Sequence, residues 1–192
     1  MLNLDIPGSA NAFAELGHIS AEEVFQLFMS NPVFLAFERG EVTPEVFRDE
    51  IRALLKRDLT DLAIDKAWNS MLLDVPTDRL KVLAKLQDRY ETIILSNTNP
   101  IHINSFNTIV DQATGGQSID NYFSTVYYSH LLGMRKPDAE IFEYVLNQQK
   151  LTPASTLFID DMVANTTAAS TLGIQTLHLT DQRDLITVFG NE

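Results

Sequence analysis

The sequence predicts an α/β fold, in which short parallel strands are layered between helices. Three observations carry this. Short apolar runs recur in the second half of the chain: TIIL (92–95), STVYY (124–128), TLFI (156–159) and IQTLHL (174–179). Helical stretches interleave with them: TDRLKVLAKLQDRY, DAEIFEYVLNQQ and MVANTTAASTL. The runs are apolar without a clean two-residue alternation, which fits strands buried on both faces of a parallel sheet.

The first part of the chain reads differently. SAEEVFQLFMS places Ser20 three residues before Glu23, a capping box. TPEVFRDEIRALLKR offers Thr43 as N-cap and Pro44 at the first helical position, with Phe47, Ile51, Leu54 and Leu55 on one face. TDLAIDKAWNSMLLDVP repeats the pattern, and its spacing predicts a face of Leu62, Ala63, the Lys66 stem, Ala67 and Ser70. Pro76 is a stop. Residues 10–75 therefore read as a small helical unit, and the alternating pattern begins after it. In DAEIFEYVLNQQ, Ile141, Phe142, Val145 and Leu146 form the apolar face.

Composition narrows the function. The chain has 192 residues, enough for one domain with a small accessory unit, and 45% are hydrophobic. The formal net charge of -12 argues against nucleic-acid or anionic-membrane partners, which require clustered Lys and Arg. A small anionic substrate stays compatible, because a few local cations or a metal reverse the field inside one pocket. The absence of cysteine excludes thiol nucleophiles, disulfides and thiolate-bound zinc. No apolar run approaches the ~18 residues of a membrane span. The opening MLNLDIPGSA has no basic and apolar leader pattern, so a cytoplasmic protein is expected. Nothing in the sequence sets an oligomeric state.

In open parallel sheets, ligands bind beyond the carboxyl ends of the strands. After TIIL come Ser96, Asn97, Thr98 and Asn99. After STVYY come Ser129, His130 and a loop carrying Lys136. After TLFI come Asp160 and Asp161. A hydroxyl, an ammonium and paired carboxylates on one edge suit a phosphate with Mg²⁺. Taken singly, each has a plainer reading: Ser96 as a turn residue, Lys136 as a solvated loop lysine, the Asp pair as a helix cap with a spare charge. The combination at three strand ends favours the site. His18, His102, His130 and His178 show no metal-ligand spacing and read as structural or surface residues.

ILSNTN, GMRKPDAEIFEYVL and LFIDDMVANTTAASTLGIQTL resemble motifs II, III and IV of the haloacid dehalogenase-like (HAD) hydrolases, and FERGEVTPEVFRDEIR and AWNSMLLDVP extend the likeness upstream. The resemblance implies a Rossmann-like core over residues 1–9 and 76–192 with a helical cap over 10–75. It implies a phosphatase of a small phosphorylated metabolite with Mg²⁺ as cofactor. By resemblance, Ser96 and Asn97 hold the phosphoryl group, Lys136 balances its charge, and Asp161 is the main metal ligand with Asp160 in support. Asn165 orients the metal's surroundings. Met162 departs from the expected serine. Which of Phe34, Phe37 and Arg39 faces the pocket is left open.

The family nucleophile is an aspartate ending the first core strand, which attacks phosphorus to give an aspartyl-phosphate. No such strand precedes MLNLDIPG, and Asp5 matches a position beyond that motif. The neighbouring strands are then expected to lack a partner, at about 1–3 kcal/mol per unpaired backbone group against a total stability of about 5–15 kcal/mol. A shortened form of a longer reading frame is the expectation; the alternative is a non-catalytic remnant or binding protein of the same fold. A dehalogenase fits less well, because those members use no metal. A phospho-receiver domain places its acidic pair first and its lysine last, the reverse of the order here.

Overall fold

The computed structural model describes residues 2–180 and 184–190. Five helices come first: α1 (Ile6–Gly17), α2 (Ala21–Ser30), α3 (Val33–Glu38), α4 (Pro44–Leu55) and α5 (Asp61–Asn69). Then follow α6 (Thr77–Gln87), β1 (Ile93–Ser96), α7 (Pro100–Thr114), β2 (Thr125–Tyr128), α8 (Ser129–Leu132), α9 (Ala139–Gln148), β3 (Leu157–Asp160), α10 (Val163–Thr171), β4 (Gln175–His178) and α11 (Asp184–Phe189). The expected α/β class with parallel strands and interleaved helices is what forms.

Local chemistry sets several boundaries, those of α2 and α4 as expected. Ser20 and Glu23 close the capping box of α2, with the Ser20 N–H donating to Glu23 Oε2 at 2.8 Å and the Glu23 N–H to Ser20 Oγ at 3.2 Å. Thr43 caps α4, and its Phe47, Ile51 and Leu55 are buried. Asn99 caps α7 ahead of Pro100. The helix α7 lies outside the sequence expectations: its run of Ile, Asn and Thr carries little helical preference, and only the cap and Pro100 signal it.

The predicted face of α5 holds only in part: Ala67 is buried as expected, Leu62 is not. Leu62 is 78% exposed, and the buried side chains are Ile64 and Ala67, with Trp68 packed beside them. Burial of Ile64 and Trp68 in the aromatic core sets the face, and in that orientation Asp61 and Asp65 face α4. There Arg48 donates to both carboxylate oxygens of Asp65 at 2.8 Å, and Arg52 pairs with Asp49 and Asp61.

The helical unit has its own core, built on Phe13, Val24, Phe37, Phe47, Ile51 and Ile64, each fully buried. Phe28, Phe34 and Trp68 close over it in edge and tilted ring contacts. The flanking segments run antiparallel: the Asn3 N–H donates to Asp74 O at 2.8 Å, Leu73 N–H to Asn3 O at 3.0 Å, and Leu4 bridges Leu72. The two ends of the helical unit therefore lie side by side.

The strands form two parallel pairs. β1 pairs with β2, from Ile93–Thr125 to Ser96–Tyr128, and β3 pairs with β4, from Leu157–Gln175 to Asp160–His178. Among the described residues, β1 has no second strand partner and neither has β3. Ile94 and Leu95 point to opposite faces, as strand geometry requires. Ile94 packs with Val75, Leu80 and Val110; Leu95 packs with Ile141, Phe142 and Phe158. Every residue of β1 remains half-buried, and Leu157 of β3 is 46% exposed. No helix among the described residues is long and apolar enough to cross a membrane.

His102 joins the helical unit to α7. Its ring stacks on Trp68 at 4.8 Å, and Nδ1 lies 2.9 Å from Asn69 Oδ1, an acceptor, so the proton sits on Nδ1. Burial lowers its pKa to about 4.

Two predictions test this packing. Ile64→Ala should cost about 2–5 kcal/mol in chemical denaturation, whereas Leu62→Ala should stay within about 0.5 kcal/mol. The second concerns pH. The folded value of His102 lies below its unfolded value of about 6.5, so the neutral ring stabilises the fold fully above that pH. That contribution, at most about 3 kcal/mol, is lost progressively as pH falls toward 4. A His102→Phe chain should show a shallower loss of melting temperature between pH 6.5 and 4 than the parent.

Candidate active site

The strand ends converge on Lys136. This side chain sits in the loop between α8 and α9, and its Nζ lies 2.7 Å from Asp160 Oδ2 at the end of β3. Both side chains are over nine-tenths buried. The Phe158 ring lies 5.3 Å below the ammonium, a cation–π contact. The other Asp160 oxygen accepts from the Met162 N–H at 2.8 Å and from Asn165 Nδ2 at 3.0 Å. Met162, where serine was expected, therefore serves through its backbone while its side chain is exposed.

β1 is tied to the same loop. Asn97 Nδ2 donates to Lys136 O, and the Lys136 N–H donates to Asn97 Oδ1, both at 2.8 Å. The amide side chain of Asn97 is thus committed to the lysine's backbone. Ser96 Oγ makes one long contact of 3.5 Å with Asn97 O, so its hydroxyl is not held by the protein.

The two carboxylates differ. Asp160 has both oxygens engaged, one of them by Lys136. Asp161 is exposed, and no hydrogen bond or ion pair to its carboxylate is found among the described residues. Its carbonyl is 3.0 Å from His178 Nε2, which fixes its backbone to the end of β4. No third His, Asp or Glu gathers with them as a cation cluster among the described residues.

Of the four histidines, His178 thus supports the Asp161 backbone and His102 the helical junction. His18 ends α1 in the left-handed conformation, and His130 is half-buried with its ring 6.0 Å from Tyr128.

Sequence reasoning missed two features. Ser129 is fully buried and joins the ends of β1 and β2: its Oγ accepts from the Thr98 N–H at 2.9 Å and donates to Thr98 O at 3.0 Å. The apolar run ending in Ser was the one available signal. The other is a set of contacts from the end of α3. Phe34 and Phe37 pack inside the helical unit, whereas Arg39 reaches Asp138 at 2.8 Å and Glu38 reaches Arg135 at 2.9 Å. A cleft of about 210 Å³ lies between α4, α5 and α7, lined by Pro44, Arg48, Asp65, Asn69 and Asn104. None of the strand-end side chains lines it, so the convergence of charge, not this cleft, marks the site.

Residues 4–173 match the haloacid dehalogenase-like hydrolase family. A crystal structure of a HAD family enzyme from Bacteroides thetaiotaomicron superposes with a TM-score of 0.90 at 36% identity, covering 98% of this chain and 93% of that one. The same enzyme complexed with magnesium and inorganic phosphate gives 0.88 at 34% identity, with the same coverage. The D-ribitol-5-phosphate phosphatase of Bacteroides thetaiotaomicron is 28% identical over 176 residues, which is 92% of this chain and 85% of that protein. A HAD-like family hydrolase from Porphyromonas gingivalis superposes with a TM-score of 0.86 at 26% identity, covering all of this chain and 93% of that one. With the two parallel strand pairs and the Lys136–Asp160 contact between them, these likenesses lead to one conclusion: this chain belongs to the haloacid dehalogenase-like hydrolase family.

Proposed function

We propose that this chain has the architecture of a Mg²⁺-dependent phosphatase acting on small phosphorylated metabolites, with residues 10–75 serving as its cap. The observation that carries the reading is the division of labour at the end of β3. Asp160 holds Lys136, while the Asp161 carboxylate beside it has no protein partner among the described residues. Magnesium is held in phosphoryl-transfer sites by one or two carboxylates, substrate phosphate and water, so the donors present fit it. Asp161 would hold the metal, with Asp160 behind it and Asn165 fixing Asp160. When bound, the metal offsets charge on the phosphate and its attacking group.

The remaining roles belong to the protein. Lys136 Nζ, fixed by Asp160, places a positive charge at the strand ends where phosphate oxygens would lie. The Ser96 hydroxyl donates to one such oxygen, and the Asn97 backbone N–H to another. No described carboxylate is assigned as the nucleophile of this reading. Asp5 is engaged elsewhere: its Oδ1 accepts from the Gly8 N–H at 3.1 Å, capping α1. The open edges of β1 and β3 support a strand seated between them, with its terminal aspartate beside Lys136 and Ser96. The relative that acts on D-ribitol 5-phosphate makes phosphorylated sugar alcohols the first substrates to try. The same open edges favour a second reading, a non-catalytic binding protein of this fold.

The test compares the 192-residue chain with an N-terminally extended form bearing an apolar strand that ends in aspartate, using an aryl phosphate. The extended form should hydrolyse it only with Mg²⁺, and the chain alone should not exceed its Asp161→Ala control. Full hydrolysis without added metal would overturn the assignment. Phosphate binding without turnover in both forms would select the binding protein. In the active form, Lys136→Ala should lose about 3–4 kcal/mol of transition-state stabilisation. Lys136→Arg should recover little of it, because a planar fork does not replace a compact ammonium at this buried site.

A further inference from the structure

The loop that carries Lys136 and the short helix α8 before it are gripped from the helical unit by three consecutive residues. Glu38 Oε2 accepts from Arg135 Nε at 2.9 Å, and Arg39 Nη2 donates to Asp138 Oδ2 at 2.8 Å. These partners are the residue before Lys136 and the second residue after it. Gly40 follows with φ +68, and a Cβ there would lie 2.1 Å from His130 O. Only glycine permits that approach, so the backbone after α3 is seated directly against α8.

The charges are arranged for a single register. Glu38 and Arg39 present acid then base, and Arg135 and Asp138 present base then acid. Sliding the helical unit by one residue would set like charges against each other, which disfavours alternative docking. The inner pair is also the more sheltered, with Arg135 and Glu38 side chains 19% and 27% exposed against 30% and 47% for Arg39 and Asp138.

We propose that Glu38 and Arg39 are positioning residues for Lys136: together they form a latch through which the docked helical unit holds the lysine loop at the strand ends. Asn97 fixes the backbone of Lys136 and Asp160 its ammonium, while the latch fixes the loop on either side. The consequence for catalysis rests on Lys136 being the phosphate-binding lysine. The latch itself does not, and it is measurable without turnover.

The readout is hydrogen exchange of the Lys136 backbone N–H, which donates to Asn97 Oδ1 and is resolved by NMR in the full chain. Glu38→Gln with Arg39→Gln should speed this exchange about fivefold, the scale that two partly exposed pairs support. Exchange at Ile64, inside the helical unit, should not change. Salt near 1 M should produce the same acceleration in the parent chain. The fourfold charge swap, Glu38→Arg and Arg135→Glu with Arg39→Asp and Asp138→Arg, should restore protection. Gly40→Ala, which keeps all four charges, should accelerate exchange by forcing α3 away from His130. Unchanged Lys136 exchange in the double Gln chain, or equal acceleration at Ile64, would overturn the proposal. Inorganic phosphate titrated into the same samples separates the two ideas: no binding by the parent chain would count against the phosphatase reading and leave the exchange result standing.

Discussion

The contact between Lys136 and Asp160 is the constraint on which the strand-end geometry depends. β1 and β2 form one ladder, β3 and β4 another, and no ladder hydrogen bond joins the two among the described residues. What joins their carboxyl ends is the 2.7 Å ion pair, together with the reciprocal amide bonds of Asn97. Below it, Leu95 of β1 and Phe158 of β3 share one apolar cluster with α9 and α10. A buried ion pair stabilises little by itself, because desolvation offsets its attraction. Its effect here is positional, since each partner is costly to leave alone.

That constraint explains why the two adjacent aspartates are not equivalent. Asp160 ends β3 with its side chain turned to the lysine, the Met162 N–H and Asn165, so both of its oxygens are engaged by the protein. Asp161 follows with its carboxylate exposed and its carbonyl held by His178. One carboxylate builds the site and the other is available to a cation. An isolated acidic pair in a loop would have no such asymmetry.

Much of this was legible in the sequence, and what was not has a physical reason. Ser20, Thr43 and Pro44 act on backbone groups within one turn, so their signals survive without tertiary context. The four strands were legible because apolar runs of that length have few alternatives. Ser96 and Asp160 were legible beside the ends of those runs, whereas Lys136, in the loop between α8 and α9, was legible only as a loop lysine beyond β2. The face of α5 was legible only in part, because Ile64 and Trp68 answer to aromatic side chains on other helices. The pairing of Glu38 and Arg39 with Arg135 and Asp138, about a hundred positions away, was not legible, since charged residues beside a loop look alike whether solvated or paired. The helix α7 escaped because its residues favour neither state strongly and its cap is a single asparagine.

The most direct measurement is a double-mutant cycle on the ion pair, with Lys136→Met, Asp160→Asn and the double variant compared by chemical denaturation. Each single change strands a buried polar partner and should cost about 3–5 kcal/mol. If the pair holds the two ladders in register, the double variant should cost little more than one single change, leaving a coupling of at least about 2 kcal/mol. Costs that add to within about 0.5 kcal/mol would mean that the two residues act independently, and that the two halves of the fold are held together by something else.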